Sequence, residues 1–229
     1  MITPQDFRRI EIFNATDLII ENAKKTTHMG KSLIDSREER VIKCYDEQKT
    51  GHIGEAGLSI RVCGSIEPYI QHQKDQEEAW ERGEKPSRQD YPGLDWDIKT
   101  RHIKAKYQGD KLFNFILDGN GKGFPGFDLW VREDELNDNF IYIQAFTNED
   151  LDTLGDPIVV YLAGFASGDR LRRNKDRTDP NITDRYAIRV KDLTPIDNLL
   201  ADVDISEKVG ETHEDSGRRV DPSGQLLLS

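Results

Sequence analysis

Asp95-Trp96-Asp97-Ile98-Lys99-Thr100-Arg101-His102-Ile103-Lys104-Ala105-Lys106 is the stretch on which the fold turns. Asp95, Asp97 and Lys99, then His102, Lys104 and Lys106, alternate with Trp96, Ile98, Ile103 and Ala105, a period of two that predicts half-buried strand with one charged face. Read as a hairpin turning at Thr100-Arg101, the stretch pairs Lys99 with His102, Asp97 with Lys104 and Asp95 with Lys106. Thr-Arg is a poor two-residue turn, because the favoured types want Asn or Gly at positive φ, so the register is free to slip. Cross-strand Asp and Lys pairs are also an ordinary way to stabilise an exposed sheet, so the alternation alone does not require chemistry.

The 229 residues suffice for one good-sized domain with extensions. The apolar fraction, 35%, is low and the charged fraction, 33%, is high, yet patterned apolar runs persist from position 94 to 200. That predicts a folded α/β domain over 34–201, a helical N-terminal extension over 1–33, and an acidic, disordered tail over 202–229. No run approaches the roughly 20 apolar residues of a membrane span, and the first residues, with Asp6, Arg8, Arg9 and Glu11, lack a secretory apolar core. The chain therefore reads as soluble and cytoplasmic. Cys44 and Cys63 match no zinc or redox spacing and read as reduced and buried. The net charge of −11 argues against indiscriminate nucleic-acid coating, though seven acids of the tail, from Asp202 to Asp221, supply part of it.

Outward from the central stretch, Ile10 to Ile20 reads as a short helix and Ile34 to Gly64 as one or two helices broken near Thr50-Gly51. Glu55 lies in the latter among Gly51, Gly54, Ala56 and Gly57, small residues that predict close approach to a sheet. Residues 71–89 form a polar surface helix and loop with Trp80 as its large anchor, and Leu112 to Leu117, Phe127 to Val131, Phe140 to Phe146 and Ile158 to Phe165 read as strands of a mixed sheet. Asp118 to Gly126 lacks the Gly-Lys-Ser/Thr ending of a phosphate loop and reads as a hairpin connection. Arg170, Arg172, Arg173, Lys175 and Arg177 make the best phosphate-contacting loop, and 192–200 a closing helix. Gln144 reads as facing solvent or, alternatively, the same groove, His28, His52, His72 and His213 as surface residues, and Trp80, Trp96 and Trp130 as core rather than base-stacking platforms.

Gly51-His-Ile-Gly-Glu55, then Gly93-Leu-Asp-Trp-Asp-Ile98, then His102-Ile-Lys-Ala-Lys106 place an acid on an early helix, an acid on a strand and a lysine on the next. Over about residues 50 to 165 this pattern resembles the PD-(D/E)XK nuclease superfamily, and Gly164 to Leu171 and Tyr186 to Leu200 are similar to C-terminal parts of some members. The resemblance implies a restriction endonuclease-like core, a mixed β-sheet flanked by helices, and a DNA endonuclease dependent on Mg2+, with Mn2+ as a substitute. It implies Glu55 and Asp97 as metal ligands, with Asp95 or His102 completing the set, and Lys104 or Lys99 as the catalytic lysine. Arg101, Lys106 and the 170–177 loop then hold phosphates, and double-strand cutting implies a homodimer.

Two alignments remain open. The first puts His102-x-Lys104 in the acid-x-Lys slot, where a neutral imidazole suits magnesium poorly. The second takes Asp97-Ile98-Lys99 as acid-x-Lys with Asp90 or Asp95 before it, and is similar to the run in mismatch-repair nicking endonucleases. Both converge Glu55 and Asp97 on one cation-sized gap, and both expect neighbouring lysines to keep Asp97 ionised.

Overall fold

In a computed structural model, which describes residues 1–30, 38–84, 90–91, 94–104, 107–174 and 185–201, a central sheet separates two apolar layers. The chain runs through β1 (Arg8–Ile12), α1 (Thr16–Gly30), α2 (Glu38–Cys63), α3 (Glu67–Glu81), β2 (Trp96–His102), α4 (Asp110–Asp118) and β3 (Asp128–Arg132). It continues through β4 (Ile141–Thr147), β5 (Ile158–Ser167), α5 (Gly168–Arg172), β6 (Arg185–Arg189), β7 (Thr194–Pro195) and α6 (Ile196–Ala201). The sheet order is β1-β5-β4-β2, with β7 added to the end of β5, and β3 pairs with β6 in a separate ribbon. Only β2 and β4 run parallel within the main sheet, so the sheet is mixed, as the sequence predicts.

One layer packs Ile19 of α1, Ile53 and Ala56 of α2, and Ile196 of α6 on Trp96, Ile98 and Ile143 of the sheet. The other packs Leu112 and Ile116 of α4, Leu129 and Val131 of β3 and Ile188 of β6 on Tyr142 and Phe146. Alternation along each strand divides the two sets, since successive side chains point to opposite faces. The α2 glycines lie where the backbone approaches the sheet: a Cβ at Gly54 would overlap the Thr100 side chain, and one at Gly57 would overlap Val160. Close approach thus outweighs the helix propensity these glycines forfeit, and α2 passes Thr50-Gly51 without a break.

Several expectations are corrected. The central stretch is no hairpin: β2 continues through Thr100-Arg101 and bonds in parallel to β4, so the predicted Lys99–His102 and Asp97–Lys104 pairs do not form. Lys106, and with it the Asp95–Lys106 pair, lies outside the described residues. Residues 1–33 are not an appendage, because β1 pairs with β5 along its whole length and α1 follows it.

Leu112 to Leu117 belongs to helix α4, which starts after Gly109 at φ 55° and stops at Gly119 at φ 76°. The Asp118–Gly126 segment therefore joins a helix to a strand, and Gly126, at φ 94°, sits where a Cβ would overlap the Leu117 carbonyl. Trp80 is 44% exposed, whereas His52 and His72 are buried. Cys44 and Cys63 are free and half-buried, and Cys63 Sγ lies 2.6 Å from the Tyr91 hydroxyl. Among the described residues no helix is long and apolar enough to cross a membrane. His213 and the acidic tail lie outside the described residues, as does the His28 side chain.

Candidate active site

Strand β2 lies at the open edge of the sheet, and its two faces carry different chemistry. Trp96, Ile98 and Thr100 turn toward α2. Asp97, Lys99 and Arg101 alternate with them and so turn toward the β3 and α4 side. Lys99 Nζ lies 3.0 Å from Asp97 Oδ2 and 3.2 Å from Glu135 Oε2. Burial opposes charge on Lys99, but Asp97 and Glu135, with Asp90 beyond, hold its pKa above the ordinary lysine value. The ammonium therefore stays protonated through neutral pH.

Asp90 occupies the outer edge of β2. Its carboxylate accepts a hydrogen bond from the Ile98 amide at 2.8 Å, and its own amide donates to the Trp96 carbonyl at 3.0 Å. Burial, and then the charges of Glu55 and Asp97, push the Asp90 carboxyl well above the usual carboxylate range. Burial also raises Asp97, against the pull of Lys99, and Asp97 is hydrogen-bonded to the Asp90 carboxyl. Lys99 lowers Asp97, as the sequence expects of a neighbouring lysine, but desolvation is the larger effect and the net shift is upward. Burial thus raises both carboxyls of this hydrogen-bonded pair.

Glu55 lies across the sheet, on α2. Gln73 Nε2 of α3 donates to its carboxylate at 2.8 Å, and His52 Nδ1 lies 3.4 Å away. Burial alone would raise this acid, but His52, His72 and Gln73 together carry it below its usual range. Glu55 thus belongs to the helix packed on the Trp96 and Ile98 face of β2, whereas Asp97 alternates with those residues. Asp90, at the edge, is the acid that feels both.

No family model, curated protein or solved structure matches the chain. What the site can do rests on its own residues. Of the two sequence alignments, the geometry assembles Asp90, Asp97 and Lys99. His102 faces the end of the strand, where its Nε2 lies 2.8 Å from the Glu149 carbonyl, and Lys104 is exposed beyond it. Asp95 precedes the strand and is exposed.

Arg170 is bound to Thr194 Oγ1 at 3.2 Å and to the Asp192 carbonyl, Arg172 to Asp138 and Arg173 to Asp169. Lys106, Lys175 and Arg177 lie outside the described residues.

Two participants escape sequence reasoning. Glu135 reaches Lys99 from the far end of the turn after β3, and nothing distinguishes it from Glu133 and Asp134 beside it. Gln144, for which solvent is the first of two readings, is fully buried: its Nε2 donates to the Lys99 carbonyl at 2.7 Å and the Ala145 carbonyl at 2.8 Å. Its position opposite Lys99, on apolar β4, was the available signal.

Proposed function

We propose that the chain is a metal-dependent endonuclease that hydrolyses DNA phosphodiester bonds on a restriction endonuclease-like core. The observation that carries this reading is the acid-x-Lys unit of β2, with Lys99 3.0 Å from Asp97 and the second acid, Asp90, fixed at the same strand edge. An acid raised by burial and by two neighbouring acids marks a place short of positive charge, and an all-oxygen donor set suits a hard cation. Among the described residues no three acids, histidines or cysteines enclose a common ion position. Magnesium at phosphate substrates needs only one or two carboxylates, with water and substrate oxygens completing its shell. Asp90 and Asp97 would hold Mg2+ or Mn2+, and Glu55 adds negative field from the α2 side.

Such an ion supplies Lewis-acid stabilisation of the phosphoryl oxygens and lowers the pKa of the attacking water. Lys99, protonated throughout, is no general base: it orients that water and shields developing charge. Its second partner, Glu135, fixes the ammonium at the rim. Because burial raises the Asp90 and Asp97 carboxyls, protons compete with the cation for them, and activity requires more metal as the pH falls. Duplex cutting by a single centre of this kind calls for a symmetric pair of chains.

The test is nicking of supercoiled plasmid with Mg2+ or Mn2+, comparing the native chain with Asp97→Ala. Cleavage that falls at least about a hundredfold in the variant, with unchanged circular dichroism, supports the enzyme. The opposite placement of Glu55 gives weight to a second reading, a non-catalytic nucleic-acid-binding module. Absence of cleavage with either metal, together with DNA retention on a gel, would establish that alternative.

A further inference from the structure

Arg101 follows Lys99 by two residues on the same face of β2, about 7 Å further along the strand. Its guanidinium lies over two rings, 5.4 Å from the centroid of Trp130 and 5.8 Å from that of Phe127. Arg185 of β6 stands 5.7 Å from the same indole. Trp130 is 37% exposed on the outward face of the β3-β6 ribbon, while its neighbours Leu129 and Val131 are buried beneath it.

Among the described residues no carboxylate or carbonyl takes a hydrogen bond from Arg101, whose contacts are the two rings. Burial and the nearby Arg185 bring its pKa down to about 10, with Asp128 the opposing charge. A cation held against aromatic faces with its N–H groups unspent is prepared for an anion.

These residues line a hollow of about 130 Å³, closed by Phe124, Gly126 and Asp128, with room for roughly four waters. Arg101, Phe127 and Trp130 also border a wider groove of about 1150 Å³ that passes Thr100, His102 and Lys104 and, across from them, the acids Asp46, Glu47, Glu149, Asp150 and Asp152, so its positive end is the Arg101 end.

We propose that one unpaired nucleotide of a nucleic-acid strand docks at the rim of this hollow, its base against the exposed Trp130 and its phosphate, which the hollow has room for, on Arg101, beside the bond that the β2 acids attack. The occupant follows from the chemistry. An indole takes the face of a base, and in a duplex both faces are already covered by neighbouring pairs. A strand that offers its base faces is single-stranded or locally opened, so the substrate class is DNA with an unpaired segment at the cut. This inference rests on the nuclease reading for its position relative to the scissile bond, but its binding test does not.

The full chain is titrated, in EDTA and at low salt, against a labelled single-stranded 12-mer and against the same sequence as a duplex, with anisotropy as the readout. The single strand is expected to bind more tightly than the duplex. Trp130→Ala is expected to weaken single-strand binding by about five- to a hundredfold, Trp130→Phe to retain most of it, and Arg101→Gln to weaken it with a shallower salt dependence. Equal binding of both forms, or single-strand binding unmoved by Trp130→Ala in a chain that melts normally, overturns the proposal. Loss of binding in Trp130→Ala alongside a plasmid that is never cut leaves the subsite standing and removes only the nuclease reading.

Discussion

Gly54→Ala tests the contact that sets the distance between α2 and β2. In an isolated helix the change would stabilise by about 1 kcal/mol, because glycine is the poorer helix former. Here the new Cβ would meet the Thr100 side chain on every side: it overlaps Oγ1 and lies 3.0 Å from Cβ and 3.3 Å from Cγ2. Rotating a β-branched side chain exchanges one overlap for another, so the helix or the strand must shift. Overpacking of this kind costs about 1–3 kcal/mol, which leaves a net loss of up to about 2 kcal/mol. For a chain of this size that is a fall in melting temperature of up to about 8 °C. Thr100 Oγ1 is buried with no hydrogen-bond partner among the described residues, so Thr100→Ala breaks no bond and should by itself cost less than about 1 kcal/mol. The Gly54→Ala/Thr100→Ala double variant should regain most of the loss. Thermal unfolding by circular dichroism of the four chains gives a coupling of at least about 1 kcal/mol if the contact is as described. A Gly54→Ala chain that melts above the parent, with additive double-variant energetics, refutes the packing argument. Since Glu55 is the next residue, the single variant should also lose plasmid cleavage more than its stability loss explains.

Asp90→Asn should separate stability from activity. The folded-state pKa of Asp90 is raised by burial and by Glu55 and Asp97, so its contribution is complete below the unfolded value of about 3.9 and is lost as pH rises through the folded value. The variant should therefore melt higher than the parent at pH 7 to 8, lose that advantage near pH 4, and not cleave; an unchanged pH profile of melting would refute the assignment. His102→Asn and Lys104→Ala should keep plasmid cleavage within about threefold, whereas Lys99→Met should lose at least about a hundredfold, and the reverse order would restore the His102-x-Lys104 alignment. Asp197, bridged to Arg8 and Arg61 but 38% exposed, has its pKa lowered chiefly by the Arg8 hydrogen bond. Its contribution is present above about pH 4 and lost on acidification, and in urea titrations Asp197→Asn should cost less than about 1 kcal/mol at physiological salt.

The parts of the fold legible in the sequence are those where one pattern admits one solution. The apolar runs of β4 and β5 and the small residues around Glu55 translated directly into central strands and a closely packed helix. The Leu-Phe-Asn-Phe-Ile-Leu run of α4 did not, because a short apolar run suits both periods; Gly109 and Gly119 decide it, and buried Leu112, Ile116 and Leu117 then follow a helical stripe. Strand β1 was hidden because Arg8-Arg9-Ile10-Glu11-Ile12 owes its place to pairing with β5, a partner about 150 residues away. In the site, Asp97 and Lys99 were visible as a strand-spaced pair, and Asp90 as one option for the preceding acid. That Glu55 would approach from the opposite face, and that Glu135 would share the lysine, depends on how distant segments meet at a sheet edge, which no local spacing encodes.

The same edge carries a hazard. A strand whose outer flank pairs with no other strand among the described residues offers its free amides to any passing strand, including that of another copy. The Asp90 carboxylate bonded to the Ile98 amide is the cap on that flank. Truncating Asp90 to Ala, a natural choice for trapping an uncut complex, would therefore also uncap the ladder, and such preparations should self-associate as they are concentrated. Asp97→Asn leaves the cap in place and is the safer inactive form for biophysics.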